Sequence, residues 1–318
     1  MSSQATTTTP RPAPVRAQVS RAKSLGRRKR ETRAAMLFLA PDALGLIVFV
    51  ALPMVLSVVL GFFWIDGFGN FDFIGIDNYT RMAQDPQFWN SARVTLVYLI
   101  VLVPLIFVTG LGLALLVQQK FPAVGWIRSA LFMPYVVSIV VVSMVWQFML
   151  TDRTGVIATV LSWIRVEGIS FLGDPRYALG TVIVVTIWLQ MGYYMIIFLA
   201  GLQDIPAELY EAARIDGAGP WARFRRITLP LLAPTSFFVL LTSMIAVVTG
   251  GLDMIFVLTS GGPANSTSLL IFYIYQQAFL FGDLGYAAAI GSVLVTALLL
   301  ISAAMFVVTR GGRFTHDD

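Results

Sequence analysis

Six apolar stretches, approximately Met36 to Phe63, Arg93 to Gln118, Ile127 to Leu150, Tyr177 to Gly201, Thr235 to Thr259 and Tyr286 to Val308, constrain this chain more than any other feature. An α-helix rises about 1.5 Å per residue, so about 20 apolar residues cross the roughly 30 Å hydrocarbon layer of a bilayer, and each stretch exceeds that length. Strands of a membrane barrel would read as alternating segments of about half that length. The spacing predicts an all-α integral membrane protein with six transmembrane helices, residues 34–310 forming the membrane domain. Composition agrees: 57% of the 318 residues are hydrophobic and 12% charged. Soluble domains carry roughly 45–50% and 25%. So few charges cannot coat a water-facing surface, which excludes a soluble enzyme.

The chemistry open to the chain is narrow. It has no cysteine and one histidine, His316, which excludes a disulfide framework, a Cys/His metal cluster and a histidine relay. Its lysines are Lys23, Lys29 and Lys120, none in the G-x-x-x-x-G-K-[ST] context that cradles phosphates. No catalytic residue, metal ligand set, bound cofactor or nucleic-acid partner is expected.

Residues 1–33 differ from the rest. Thr6 to Thr9, Pro10, Pro12 and Pro14 accompany nine Lys and Arg against one acid, Glu31. This composition predicts a disordered basic tail. An organellar transit peptide is the alternative, while the lack of an apolar core before Met36 argues against a cleaved secretory signal. Seventeen Lys and Arg fall on the two tails and the loops after spans two and four, against five on the other side: Arg81, Arg93, Arg153, Arg165 and Arg176. The positive-inside rule places both termini, including the tail 311–318, in the cytoplasm. Pro41, Pro53, Pro104 and Pro134 lie within spans and predict kinked helices. Such kinks suit a bundle around a pathway, although proline is also common in membrane helices.

The most patterned polar segment is the loop 202–232. Asp204 is placed to N-cap a helix with Pro206 in its first turn, Glu208 and Glu211 lie near the positive helix end, and Leu209, Ala212 and Ala213 lie close to one face. Gly217 and Gly219 can adopt the left-handed backbone that ends a helix, and Pro220 can open a second helix, Trp221 to Thr228, halted by Pro230. Two short helices at a glycine corner, too small to own a core, need a surface to rest on. That surface is a partner protein or, through Arg223, Arg225 and Arg226, the lipid headgroups.

Glu211-Ala212-Ala213, Gly217 and Ile227-Thr228-Leu229-Pro230 match the pattern E-A-A-x3-G-x9-I-x-L-P, and in this the chain resembles the permease subunits of binding-protein-dependent ABC importers. The similarity runs from Met36 onward and is greatest to the maltose-type and glycerol-3-phosphate-type sugar permeases, through Phe73 to Tyr79, Asp85 to Trp89, Met133 to Val136 and Val257 to Pro263. The resemblance implies that 202–232 is a coupling loop seated on an ATP-hydrolysing subunit. Glu211, Ala212, Ala213 and Gly217 would form its contact core, with Ile227, Leu229 and Pro230 completing the motif. It also implies a bacterial inner-membrane location, a second homologous permease, two ATP-binding subunits that use ATP and Mg, an extracytoplasmic solute-binding protein and a sugar substrate.

A polyol needs hydroxyl-binding groups and aromatic faces within an apolar channel. Candidates are Gln190, Tyr193 and Tyr194 in span four, Gln147 near one end of span three and Asp253 in span five. Asp253 either lines the route or pairs with a group on the neighbouring permease. The tyrosines also fit ordinary bundle packing or an interfacial belt. An ion-coupled secondary transporter of a small polar solute is the alternative function, but Asp253 stands nearly alone, with Asp42 near the end of span one, where a proton relay needs a series of ionisable groups. An intramembrane enzyme would need a nucleophile and base that are not evident. Asn78-Tyr79-Thr80 and Asn265-Ser266-Thr267 fit a glycosylation pattern that arises readily by chance. Ser260-Gly261-Gly262-Pro263 reads as a turn that ends span five.

Overall fold

The structure, a computed structural model, describes residues 36–65, 69–119, 122–152, 154–165 and 168–310. The tails 1–33 and 311–318, with Lys120 and Arg153, lie outside these residues. Two units divide after Leu56: Met1–Leu56 and Ser57–Asp318.

Helix α1, Met36–Leu60, has a mean hydropathy of 2.8 and, Asp42 apart, carries no charged residue, as suits a span in lipid. Its turn Ile47–Ala51 is a π-helix in which the Leu52 N–H reaches the Ile47 carbonyl. Pro53 follows at once. The widened turn takes up the clash of the proline ring with the preceding turn, and the helix continues.

In the second unit the first span stops at Leu60 instead of reaching Phe63. Strands β1, Phe63–Ile65, and β2, Phe71–Phe73, form an antiparallel hairpin with Phe63 opposite Phe73. Aromatic and β-branched residues after Gly61 favour extended backbone. Asn78 holds the corner, its Nδ2 donating to the Gly61 and Phe63 carbonyls at 3.0 and 2.9 Å. Because Asn78 is buried in that role, it is no glycosylation acceptor.

Helix α2, Asp77–Gln84, leads into the long helix α3, Pro86–Val117, whose counterpart later in the chain is α7, Pro175–Gln203. Both long helices start ahead of the predicted Arg93 and Tyr177, each at an Asp-Pro pair. The Asp85 and Asp174 carboxylates accept the backbone N–H groups of Gln87 and Arg176 at 2.8 and 2.9 Å. Such caps begin a helix in polar sequence, before any apolar run. Helices α3 and α7 form the most extensive helix pairing among the described residues. Leu102, Ile106, Val182, Met195 and Phe198 belong to the main core, and the Tyr98 and Thr186 hydroxyls meet inside it at 2.9 Å. Pro104 leaves α3 continuous.

Predicted span three is broken. Helices α4, Val124–Val136, and α5, Ile139–Met149, meet at 95°. Pro134 removes one donor from the ladder, and Val137 turns to extended backbone before α5 begins. Helix α7 crosses α4 just before this break, at a point where a Cβ on Gly192 would run into the Leu131 carbonyl oxygen. Only glycine allows the two backbones to approach so closely.

The rest of the chain comprises α6, Val156–Trp163; α8, Ala207–Ile215; α9, Pro220–Leu231; α10, Ala233–Thr249; α11, Gly251–Leu258; α12, Leu270–Leu280; and α13, Leu284–Arg310. Among the described residues four helices are long and apolar enough to cross a membrane unbroken, and the number rises to six if α4 with α5 and α9 with α10 each count as one bent span.

The crossing at Gly192 is testable. Gly192→Ala forces backbone apart and costs about 1–3 kcal/mol, read as a Tm several degrees lower in detergent. Gly180→Ala, where a Cβ meets nothing within 4 Å, holds or raises the Tm through helix propensity.

Candidate functional site

The elbow 202–232 is shaped by its backbone hydrogen bonds. Asp204 closes α7, its N–H bonded to the Ala200 carbonyl, and α8 starts from Pro206. Asp204 therefore does not N-cap α8 as predicted. The residue before a proline avoids helical backbone, which moves the start of α8 past Ile205. At the far end Gly217 takes φ +76, its N–H donates to the Arg214 carbonyl at 3.0 Å, and the Ala218 N–H donates to that of Ala213 at 2.8 Å. These paired bonds are the left-handed glycine termination expected there.

Gly219 departs from expectation: it is extended, with φ −68 and ψ 168, because it N-caps α9. Pro230 does not halt α9. Phe224–Thr228 is a π-turn in which the Leu229 N–H reaches the Phe224 carbonyl, the same device that precedes Pro53. The chain instead bends by 67° at Leu232, which is fully buried. The Tyr210 and Thr228 hydroxyls, 3.0 Å apart, tie α8 to α9.

Glu211, Ala212, Gly217, Leu229 and Pro230 are exposed, and Ala213 and Ile227 are half-buried. Ile215 and Trp221, 87% and 69% exposed, add apolar surface outside the motif. Large apolar side chains so bare on a polar corner mark an interaction surface. A cleft of about 310 Å³, lined by Gln118, Tyr210, Glu211, Arg214 and Thr228, brings the elbow to the C-terminal end of α3. There the Arg128 Nη2 donates to the Val117 carbonyl at 2.6 Å, a cation on the negative helix end.

The predicted pathway residues fall into two groups. Tyr193 stacks on Tyr135, ring centres 4.5 Å apart and planes at 16°, beside the break of span three. Gln190 lies one turn away on α7, and its Oε1 is buried with no hydrogen-bond partner among the described residues. Tyr194 is edge-on to Tyr193 at 5.0 Å but only 2% exposed, so it is a packing residue. In the second group the Gln147 Nε2 donates to the Val257 carbonyl at 2.8 Å, joining α5 to the helix that carries Asp253. Asp253 itself is exposed and has no hydrogen bond or ion pair among the described residues. Tyr135 escaped selection by sequence, although its place directly after Pro134 was a usable signal.

A polar cluster that sequence reasoning missed closes the end opposite the elbow, about 48 Å away along the 32 residues of α3. The Asp85 Oδ2 accepts the Tyr273 and Tyr286 hydroxyls at 2.5 and 2.6 Å. Arg81 pairs with Asp283 at 2.6 Å and lies 4.1 Å over the Tyr286 ring. The Asp-Pro pair announced a helix cap, but its tyrosine partners stand 188 and 201 residues along the chain.

Residues 106–311 match the family described as binding-protein-dependent transport system inner membrane component. The chain is 34% identical to the sulfoquinovosyl glycerol transport system permease protein SmoG of Agrobacterium fabrum, across 87% of this chain and 90% of that one. It is also 34% identical to the trehalose/maltose transport system permease protein MalF of Thermococcus litoralis, across 91% and 96%. Among solved structures it matches a bacterial ABC transporter involved in the import of the acidic polysaccharide alginate, with a TM-score of 0.78 and 25% identity over 90% of this chain and 98% of that one. The bacterial alginate ABC transporter in complex with its alginate pentasaccharide-bound periplasmic protein matches with a TM-score of 0.74 and 26% identity over 87% and 96%.

The polar cluster opposite the elbow carries a pH prediction. Burial works to raise the Asp85 carboxyl, but hydrogen bonds from Tyr273, Tyr286 and the N–H groups of Gln87 and Phe88 outweigh it and hold Asp85 below the usual carboxylate range. A folded value below the unfolded one, near 3.9, means stabilisation that is present above about pH 4 and lost as pH falls through the folded value. Hydrogen-exchange protection of residues 270–286, corrected for intrinsic rates, should hold near neutrality and fall below about pH 4. In Asp85→Asn it should be low and independent of pH.

Proposed function

The chain belongs to the inner-membrane components of binding-protein-dependent transport systems, and we propose that it forms one half of the translocation pathway of an ATP-driven carbohydrate importer. The other half is a second, homologous permease. Two ATP-binding subunits consume ATP with Mg, and this chain supplies no catalytic group. An extracytoplasmic binding protein delivers the substrate; the related alginate transporter with its bound periplasmic protein supports that partner. Seventeen of the Lys and Arg fall on one side, which supports cytoplasmic termini and a cytoplasmic elbow.

The observation that carries this reading is the elbow: an exposed Glu211-Ala212 surface turned by Gly217 and anchored to the bundle by Tyr210, Phe224 and Ile227, which pack against the core. Closure of the ATPase subunits on ATP would displace that surface. Because α8 and α9 are bonded to each other and α9 runs on through Pro230 to the bend at Leu232, the displacement passes to α10 as a rigid motion. This is coupling through a two-state element.

Relatives whose names specify sulfoquinovosyl glycerol, trehalose/maltose and alginate support a polyhydroxylated substrate. The Tyr135–Tyr193 stack offers an apolar ring face, and among the described residues the Gln190 Oε1 is an unused acceptor and Asp253 an unpaired carboxylate. These are the groups that sugar recognition requires.

Gly217→Asp tests the coupling. An Asp tolerates left-handed backbone, and a Cβ at Gly217 meets nothing within 4 Å, so the fold survives while a charge enters the contact surface. In vesicles carrying the assembled transporter the variant should hydrolyse ATP yet import at least about tenfold less, the scale of 1.4 kcal/mol of lost coupling. Normal uptake would refute the assignment. Asp253→Asn should lower uptake with assembly intact; unchanged affinity and rate would remove Asp253 from the pathway.

A further inference from the structure

A groove of about 420 Å³ runs beside the N-terminal part of α7, lined by residues that neither the elbow nor the pathway uses. Arg176, Gly180 and Val184, at intervals of four, line it along one stripe of the helix, next to Tyr177. Trp146 of α5 and Phe171 line it from other parts of the chain. The Thr181 hydroxyl donates to the Phe171 and Tyr177 carbonyls at 3.1 and 3.0 Å and so offers the groove no free proton. Gly180 leaves the helix backbone bare, since a Cβ there would meet no atom within 4 Å. The furrow is therefore apolar, open and accessible to a thin chain.

Its mouth is different. Arg176 is the second residue of a membrane-spanning helix, the depth at which lipid headgroups begin. It is exposed, and among the described residues its guanidinium has no ion pair. Among the described residues Asp174 accepts the Arg176 backbone N–H at 2.9 Å, and Asp152 accepts the Ser170 hydroxyl at 2.6 Å. Tyr177, 44% exposed, adds an amphipathic ring at the same level.

The geometry points to a phospholipid site, with the lipid phosphate on Arg176 and one acyl chain lying along Gly180 and Val184 against Trp146. A cation at headgroup depth continuous with a dry furrow at hydrocarbon depth matches the two halves of a phospholipid in order and polarity. With the elbow cytoplasmic, as proposed above, the N-terminal end of α7 meets the outer leaflet, and the occupant belongs to that leaflet.

Trp146 supplies the probe. The assembled transporter is reconstituted in nanodiscs containing phospholipid with brominated acyl chains, or diacylglycerol with the same chains and no phosphate. The fluorescence of Trp146 is isolated as the difference between the natural protein and Trp146→Phe. Phospholipid should quench that component at a severalfold lower mole fraction than diacylglycerol. Arg176→Gln should bring the two curves together, and Gly180→Phe, whose Cβ meets nothing within 4 Å and whose ring enters the furrow, should abolish quenching by both. Coincident curves in the natural protein would overturn the site. So would a Trp146 that neither lipid quenches, which would mean that a partner subunit covers the groove.

Discussion

A backbone N–H or carbonyl left without a partner in hydrocarbon costs several kcal/mol, and prolines interrupt the hydrogen-bond ladders of this chain's helices at several points. Each interruption is handled in a specific way. Ahead of Pro53 and Pro230 the preceding turn widens to a π-turn, so the helix passes through the proline unbroken. At Pro134 the helix ends instead, and two residues of extended backbone carry the chain through 95°. The second solution requires a neighbour at close range. Gly192 provides it by letting α7 lie directly on the Leu131 carbonyl.

The break in span three has a functional consequence. A helix that ends inside the bilayer exposes its last turn sideways, and there Tyr135 meets Tyr193, with the unpaired Gln190 oxygen one turn away. Polar groups with unused bonding capacity inside a membrane bundle face either a cavity or a substrate. In the proposed importer the aromatic stack and that oxygen would lie where irregular backbone is tolerated because it lines a route.

The two ends of the bundle are built for different mechanical tasks. At the elbow, side-chain bonds among the described residues are few and the exposed surface is small, held by the Gly217 turn and the Tyr210–Thr228 contact. At the opposite end Asp85, Tyr273, Tyr286, Arg81 and Asp283 interlock α2 and α3 with α12 and α13. The proposed coupling would need a free face to be gripped and a stiff connection to what it moves; the exposed elbow and the helices that run between the two clusters have those two forms.

Much of this was readable from the residues in order. Hydropathy over about 20 positions marks a span whatever surrounds it, and Gly217 with Pro220 marks a corner because left-handed backbone and a helix start are decided within one turn. The Asp-Pro caps at Asp85 and Asp174 obeyed the same local rules but were hidden, because polar sequence masks a helix that begins in water. What the chain order could not reveal depends on residues far apart: whether Pro134 breaks its helix while Pro104 does not, which tyrosines find Asp85, and which faces of α5 and α7 leave a furrow beside Arg176. Local propensity is set by covalent neighbours and survives in any context. Helix breaks, buried polar networks and grooves are settled only when separate segments compete for the same space and the same hydrogen bonds.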